Sequence, residues 1–162
     1  MTLPITITPA QATDVPLILE FINELADYEK LNDEVVATAS SLHRALFGPQ
    51  PSAEALIARV DGTACGFAVF FHNFSTFLGN HGLYLEDLFV RPAFRGAGVG
   101  KALLRHLAQL ALARDCGRFE WSVLDWNRPA RDFYESLGAV ANVTWVPYRI
   151  TGEALQKLAA PK

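Results

Sequence analysis

A strand that runs into a glycine-rich turn and then into an amphipathic helix constrains this chain more than any other feature. The segment reads Phe89-Val-Arg-Pro-Ala-Phe-Arg95-Gly96-Ala97-Gly98-Val99-Gly100-Lys101. Glycines there permit positive φ and close approach of a ligand to the main chain. The amides of a helix's first turn have no intrahelical acceptor and lie at the positive end of its dipole. Residues 95–101 therefore form a candidate phosphate cradle, to which Arg95 and Lys101 add positive charge. The spacing is not that of a P-loop: in a G-x-x-x-x-G-K-[ST] pattern ending at Gly100-Lys101, the first glycine falls on Arg95 and Ala102 replaces the hydroxyl, which disfavours Mg-ATP chemistry. Gly96, Gly98 and Gly100 do not spell G-x-G-x-x-G either, and no early βαβ unit surrounds them. A glycine turn without a ligand is the plainer alternative.

At 162 residues and 51% hydrophobic, the chain has enough apolar material to offset the entropy of ordering, so residues 1–162 are expected to form one domain. Its longest apolar run, Phe67–Phe71, falls far short of the ~20 residues that a bilayer needs. No membrane association is expected, and the lack of a basic leader makes the cytoplasm the expected location. Residues 1–90 hold 11 acids and 3 Lys or Arg, whereas residues 91–162 hold 6 acids and 11 Lys or Arg. That asymmetry suits an anion held by the second half and a cation drawn to the first. A net charge of −3 lacks the basic excess of a nucleic-acid binder, so no nucleic-acid partner is expected. Cys65 and Cys116, with His43, His72, His81 and His106, show no ligand spacing; no disulfide framework, no activated cysteine and no metal are expected. Trp121, Trp126 and Trp145 read as core anchors.

The periodicity predicts a strand over 3–8, then a helix behind Thr13 and Asp14 with Ile18, Phe21, Ile22, Leu25 and Tyr28 on one face. A second helix follows Thr38 and ends at Gly48-Pro49. Strands over 55–60 and 64–74 flank an Asp61-Gly62 turn, and a further strand over 83–90 follows Gly79-Asn80-His81-Gly82. Helix 99–114, strand 119–124, helix 128–137, strand 145–150 and a short helix after Thr151 complete the series. A meander passing into a βαβ crossover implies an α/β (α+β) fold, with a mixed, mostly antiparallel sheet covered by helices on both faces.

The Arg95-x-x-Gly98-x-Gly100 signature after a strand resembles the acetyl-coenzyme A binding motif of the GNAT acetyltransferases. Asn127-x-x-Ala130-x-x-Phe133-Tyr134-x-x-x-Gly138 is similar to a later motif of that superfamily. Together with Leu25-Ala26-Asp27-Tyr28-Glu29, Leu85-Glu86-Asp87-Leu88-Phe89-Val90 and Asp125-Trp126-Asn127, these residues look like the diamine (spermidine/spermine) acetyltransferase branch.

The resemblance implies a homodimeric N-acetyltransferase with acetyl-coenzyme A as co-substrate and an amine as acceptor. Phe89, Val90, Arg95, Gly96, Ala97, Gly98, Val99, Gly100, Lys101, Asn127, Ala130 and Phe133 are the expected coenzyme contacts. A bulge near Phe89-Val90 is expected to free the Val90 amide for the thioester oxygen. Acetyl transfer needs a neutral amine and a protonated leaving thiol. Glu86 is the expected base, although spacing alone gives Glu86 and Asp87 equal claim to be paired or solvated acids. Tyr134 is the expected acid, although periodicity alone also suits a core aromatic. Tyr28, Glu29, Glu86, Asp87 and Trp145 are the expected substrate contacts, within an acidic stretch over 20–34. The branch leads one to expect an acid shortly before this tryptophan, where Asn142-Val143-Thr144 stands instead. That points away from spermine and spermidine, toward a shorter diamine or a lysine-like amino acid such as thialysine. A protein lysine or N-terminal acetyltransferase and a non-catalytic coenzyme A-binding module are the alternatives.

Overall fold

The computed structural model describes residues 3–162. Its elements run β1 (Ile5–Pro9), α1 (Val15–Glu29), α2 (Ala39–Phe47), β2 (Glu54–Val60), β3 (Thr63–Ser75), β4 (Asn80–Val90), α3 (Val99–Ala113), β5 (Phe119–Trp121), α4 (Arg128–Ser136) and α5 (Gly152–Ala159). The chain divides into two compact units between Ser122 and Val123, and each is described by itself.

In the first unit the strands form one sheet in the order β1-β2-β3-β4-β5, antiparallel except for the parallel β4–β5 pair that α3 connects. Strand alternation sends Ala55, Ile57, Phe67 and Phe89 to one face, where they bury Ile18 and Phe21 of α1 and Leu46 of α2. Phe21 stacks on Phe67 at 5.2 Å and tilts against Phe89 at 6.4 Å. Truncating Phe21 to Ala would cost about 3–5 kcal/mol, the usual loss for a buried aromatic. Leu56, Ala68, Phe70 and Leu85 point to the other face, and α3 packs against β1, β3 and β4 with Val99, Leu103, Leu104 and Leu107 buried. Helices thus cover both faces of a mostly antiparallel sheet, as the patterning predicts.

The caps act as local chemistry requires. Thr38 accepts the Ser41 amide at 3.0 Å and starts α2. Asp14 stands at the start of α1, but its carboxylate accepts the Gln11 amide at 2.8 Å and so closes the turn before the helix.

Several expectations need correction. The turn before β4 lies at 76–79; Asn80, His81 and Gly82 belong to the strand, paired with Ser75, Phe74 and Asn73. β5 stops at Trp121 rather than reaching residue 124. Residues 145–150 alternate like a strand but form none, because a strand exists only where a neighbour supplies its ladder bonds. Trp145 is 73% exposed and Trp126 50% exposed, so neither anchors a core. In the second unit, α4 and α5 are the helices that the sequence predicts. Among the described residues, no helix is long and apolar enough to cross a membrane.

Candidate active site

The end of β4 is shaped by its ladder. Gly66 faces Val90 across β3–β4, and the Arg91 N–H donates to the Cys65 carbonyl at 2.8 Å. Hydrogen-bonded and non-hydrogen-bonded pairs alternate along an antiparallel ladder, so the N–H and C=O of Val90 point away from β3. On that side β5 pairs with Leu83–Leu85, and among the described residues no strand runs beside Val90. Arg95 Nε donates to the Val90 carbonyl at 2.9 Å, while the Val90 N–H faces the same open edge. Gly66 makes this possible: a Cβ there would stand 2.6 Å from the Phe89 carbonyl oxygen.

The bulge expected near Phe89-Val90 lies at Glu86 instead. Val69 pairs with Asp87 and Phe70 with Leu85, which leaves Glu86 as the extra residue. Phe89, packed on Phe21, holds residues 87–90 in regular register, and an exposed carboxylate is the residue that the strand releases to water most cheaply. The Val90 amide is thus free of β3 by ladder phase and by the shortness of β5, rather than by a bulge of its own.

Three acids gather beside this edge. Asp87 is half-buried, and its pKa is pushed up to about 6, first by burial and then by the charges of Glu86 and Glu29. Burial also raises that of Glu29, at the end of α1. Three other acids of the 20–34 stretch, Glu20, Glu24 and Asp27, are already engaged. Arg91 donates to Glu24 at 3.0 Å and Glu20 at 2.7 Å with its guanidinium over the Phe21 ring, and Asp27 accepts from Asn32. Tyr28 lies under the Arg95 guanidinium at 5.1 Å, and Phe89 lies near it at 5.5 Å. Arg95 therefore ties α1 to the end of β4 besides lending charge to the turn.

In the turn itself, Gly96 and Gly98 have φ of 79° and 87°, a region that favours glycine. Gly98 starts α3, with its carbonyl accepting the Ala102 amide at 2.9 Å, so the amides of Val99, Gly100 and Lys101 lack intrahelical acceptors. Apart from the adjoining residues of the chain, no atom of the described residues stands within 4 Å of where a Cβ would lie at Gly96 or Gly98. Such an open, donor-lined turn fits an extended diphosphate. The Val99 side chain is buried, so only its main chain is available. A cleft of about 380 Å³ adjoins the turn, lined by Lys101, Arg105 and His106 along with Ile5 and Ile7.

The second unit holds the other candidates. Asn127 is buried and accepts the Ala130 amide at 3.4 Å, capping α4, with Pro129 in the first turn. Ala130 and Tyr134, one turn apart, are both half-buried, and the Phe133 and Tyr134 rings stand 5.8 Å apart. Trp145 is exposed.

The structure thus gathers Tyr28, Glu29, Glu86, Asp87, Phe89, Val90 and Arg95 in the first unit, next along the chain to the Gly96–Lys101 turn. Asn127, Ala130, Phe133 and Tyr134 lie together on or at the start of α4 in the second. Sequence reasoning missed Gly66 and Arg91. A glycine inside a strand pattern is a sign of close backbone approach and could have flagged the first; nothing local marks the second.

Comparison with known proteins agrees with this geometry. Residues 20–139 match the Acetyltransferase (GNAT) family. The chain is 35% identical to thialysine N-epsilon-acetyltransferase of Sus scrofa over 96% of its own length and 97% of that protein's. It is 34% identical to spermidine/spermine N(1)-acetyltransferase-like protein 1 of Homo sapiens, over 93% of this chain and 23% of that protein. Among solved structures, an integron cassette protein from the mobile metagenome of V. cholerae superposes with a TM-score of 0.80 at 30% identity, over 97% of this chain and 98% of the other.

Proposed function

The chain belongs to the GNAT acetyltransferase family, and from that premise we propose that it moves the acetyl group of acetyl-coenzyme A directly to a primary amine of a small diamine, polyamine or lysine-like molecule, with both substrates bound together. The observation that carries the reading is the open β4 edge at Val90, which leads into an amide-lined turn and lies beside an acid cluster. Residues 1–162 act in it as one catalytic domain, supported by relatives that align along nearly the whole chain.

The amides of residues 96–101 hold the diphosphate of the acyl carrier, with Phe89, Arg95, Asn127, Ala130 and Phe133 contributing to its site. An alkylamine has a pKa of ~10.4 and arrives as a cation, so it needs both an anionic site and a base. With Glu20 and Glu24 engaged by Arg91, the acids available to that cation are Glu29, Asp87 and Glu86, joined by Tyr28 and Trp145. Glu86 takes the amine proton, directly or through one water. The nitrogen then attacks the thioester carbon, and the Val90 N–H donates to the oxygen as negative charge develops there. As the C–S bond breaks, Tyr134 protonates the leaving sulfur, and the proton that the attacking nitrogen sheds in becoming an amide returns through water to the tyrosinate. Amides, carboxylates and a phenol fill every role, and no metal enters the transfer.

The similarity to the Sus scrofa thialysine N-epsilon-acetyltransferase and the lack of an acid in Asn142-Val143-Thr144 favour a lysine-like amino acid or short diamine over spermine. A cytoplasmic homodimer completes the proposal; the exposed apolar row of Val143, Trp145, Val146 and Tyr148 supports an interface. The test is an amine panel with released coenzyme A read by thiol detection. Turnover on thialysine, lysine and short diamines is expected to exceed that on peptides. Turnover on peptides alone, or tight acetyl-coenzyme A binding with no turnover on any amine, would overturn the reading.

A further inference from the structure

A cluster of nitrogen and sulfur ligands stands at the opposite end of β4. Across the β3–β4 ladder Phe74 faces His81 and His72 faces Leu83, so the two histidines are diagonal neighbours, with rings 5.4 Å apart and edge to face. Cys116 enters from the connection between α3 and β5. That connection is pinned by the Gly117 N–H donating to the His81 carbonyl at 2.9 Å and by Asn80 Nδ2 donating to the Asp115 carbonyl at 2.7 Å. One ligand atom from each of His72, His81 and Cys116 lies within 4.8 Å of the other two.

We propose that His72, His81 and Cys116 form a binding site for a divalent d-block cation of the zinc class, separate from the acetyl-transfer site. Two imidazoles and a thiolate are the donor set that such ions prefer. His81 Nε2 lies 2.8 Å from the Arg114 carbonyl. A carbonyl can only accept, so the ring proton sits on Nε2 and the Nδ1 lone pair is left for an ion, the outer-shell arrangement that orients metal-binding histidines. A tetrahedral ion with bonds of about 2.0 Å to nitrogen and 2.3 Å to sulfur needs its ligand atoms about 3.5 Å apart. The cluster must therefore close by about an ångström, which exposed His72 and half-buried Cys116 have room to do. Arg114 Nη1 lies 3.4 Å from His72 Nε2 and can only donate to it, a long contact that metal binding through Nε2 must break; Glu54, at 2.6 and 2.9 Å, keeps that guanidinium paired and offsets its charge. Binding forms a metal–sulfur bond and releases the Cys116 thiol proton to solvent, and water takes the fourth position. The 15 residues of α3 separate this cluster from the Gly98 turn by about 22 Å. The ion thus ties together β3, β4 and the α3–β5 connection and takes no part in the chemistry.

The test uses the full chain stripped with a chelator and titrated with Co²⁺ and with Zn²⁺. One ion per chain is expected, with a thiolate-to-cobalt charge-transfer band. Zinc at a hundredfold excess over Kd should raise Tm by about 5–10 °C. Cys116→Ser should lose the band, and His72→Ala should weaken binding at least tenfold while amine acetylation stays at the parent rate. His72 is exposed, so that variant keeps the test sound if Cys116→Ser folds poorly. No thiolate band in the parent, or His72→Ala binding as tightly as the parent, would overturn the site.

Discussion

Replacing Asp87 with Asn should make the protein more stable at neutral pH and leave it unchanged in acid. Its pKa is raised from 3.8 to about 6, with burial the leading cause. The native chain therefore keeps a proton that the unfolded chain releases, and the sign of the linkage follows. Stability associated with this group is full below about pH 4 and is lost as pH rises through about 6. At 1.36 kcal/mol per pH unit, the loss above pH 6 is at most about 3 kcal/mol. Asn keeps the shape of the neutral acid and has no charge to desolvate. Urea unfolding of Asp87→Asn should give a free energy close to the parent's at pH 4 and up to about 3 kcal/mol above it at pH 7.5. For a chain of this length, that corresponds to a Tm gain of up to about 6–12 °C. The same variant should bind the amine more weakly, and in the parent amine affinity should climb as pH rises through about 6 and Asp87 ionises. An equal stability difference at both pH values, or a variant less stable at pH 7.5, would refute the claim that a desolvated carboxylate sits here.

Three further outcomes are expected. Tyr134→Phe should lower kcat by about 10²–10⁴-fold with little change in acetyl-coenzyme A affinity by calorimetry, whereas equal loss of both would remove Tyr134 as the acid. Glu86→Gln should flatten the rise of kcat/KM with pH; a profile matching the parent's would assign the base elsewhere. Gly66→Ala must push a Cβ against the Phe89 carbonyl, so it should destabilise by about 1–3 kcal/mol in urea unfolding and depress turnover through the displaced Val90 edge. Parent-like turnover in that variant would show that the edge is not needed.

Much of the fold is legible without coordinates because its signals are local. Thr38 and Ser41 cap α2, Asp61-Gly62 turns β2 into β3, and Ile18, Phe21 and Leu25 recur at a helical period. The glycine turn is legible for the same reason: positive φ and an unpaired helix start are properties of a few consecutive residues. The 145–150 stretch shows the limit of pattern, since alternation records what a strand could bury and not whether a neighbour exists to pair with it.

By itself the sequence determined the glycine-rich turn before α3, the pool of acids, the family motifs and, apart from the strand expected over 145–150, the order of elements, all of which depend on residues close together along the chain. Only the tertiary structure decided how those acids are divided. Arg91, reaching from the end of β4 to α1, engages Glu20 and Glu24 and leaves Glu29 and Asp87 unneutralised. It also decided that Glu86 is the bulged residue, that the Val90 amide meets no strand among the described residues, and that His72, His81 and Cys116 meet at all. Each of these depends on ladder register and on contacts between residues far apart in sequence, and such contacts are fixed by packing across the sheet rather than by any local preference.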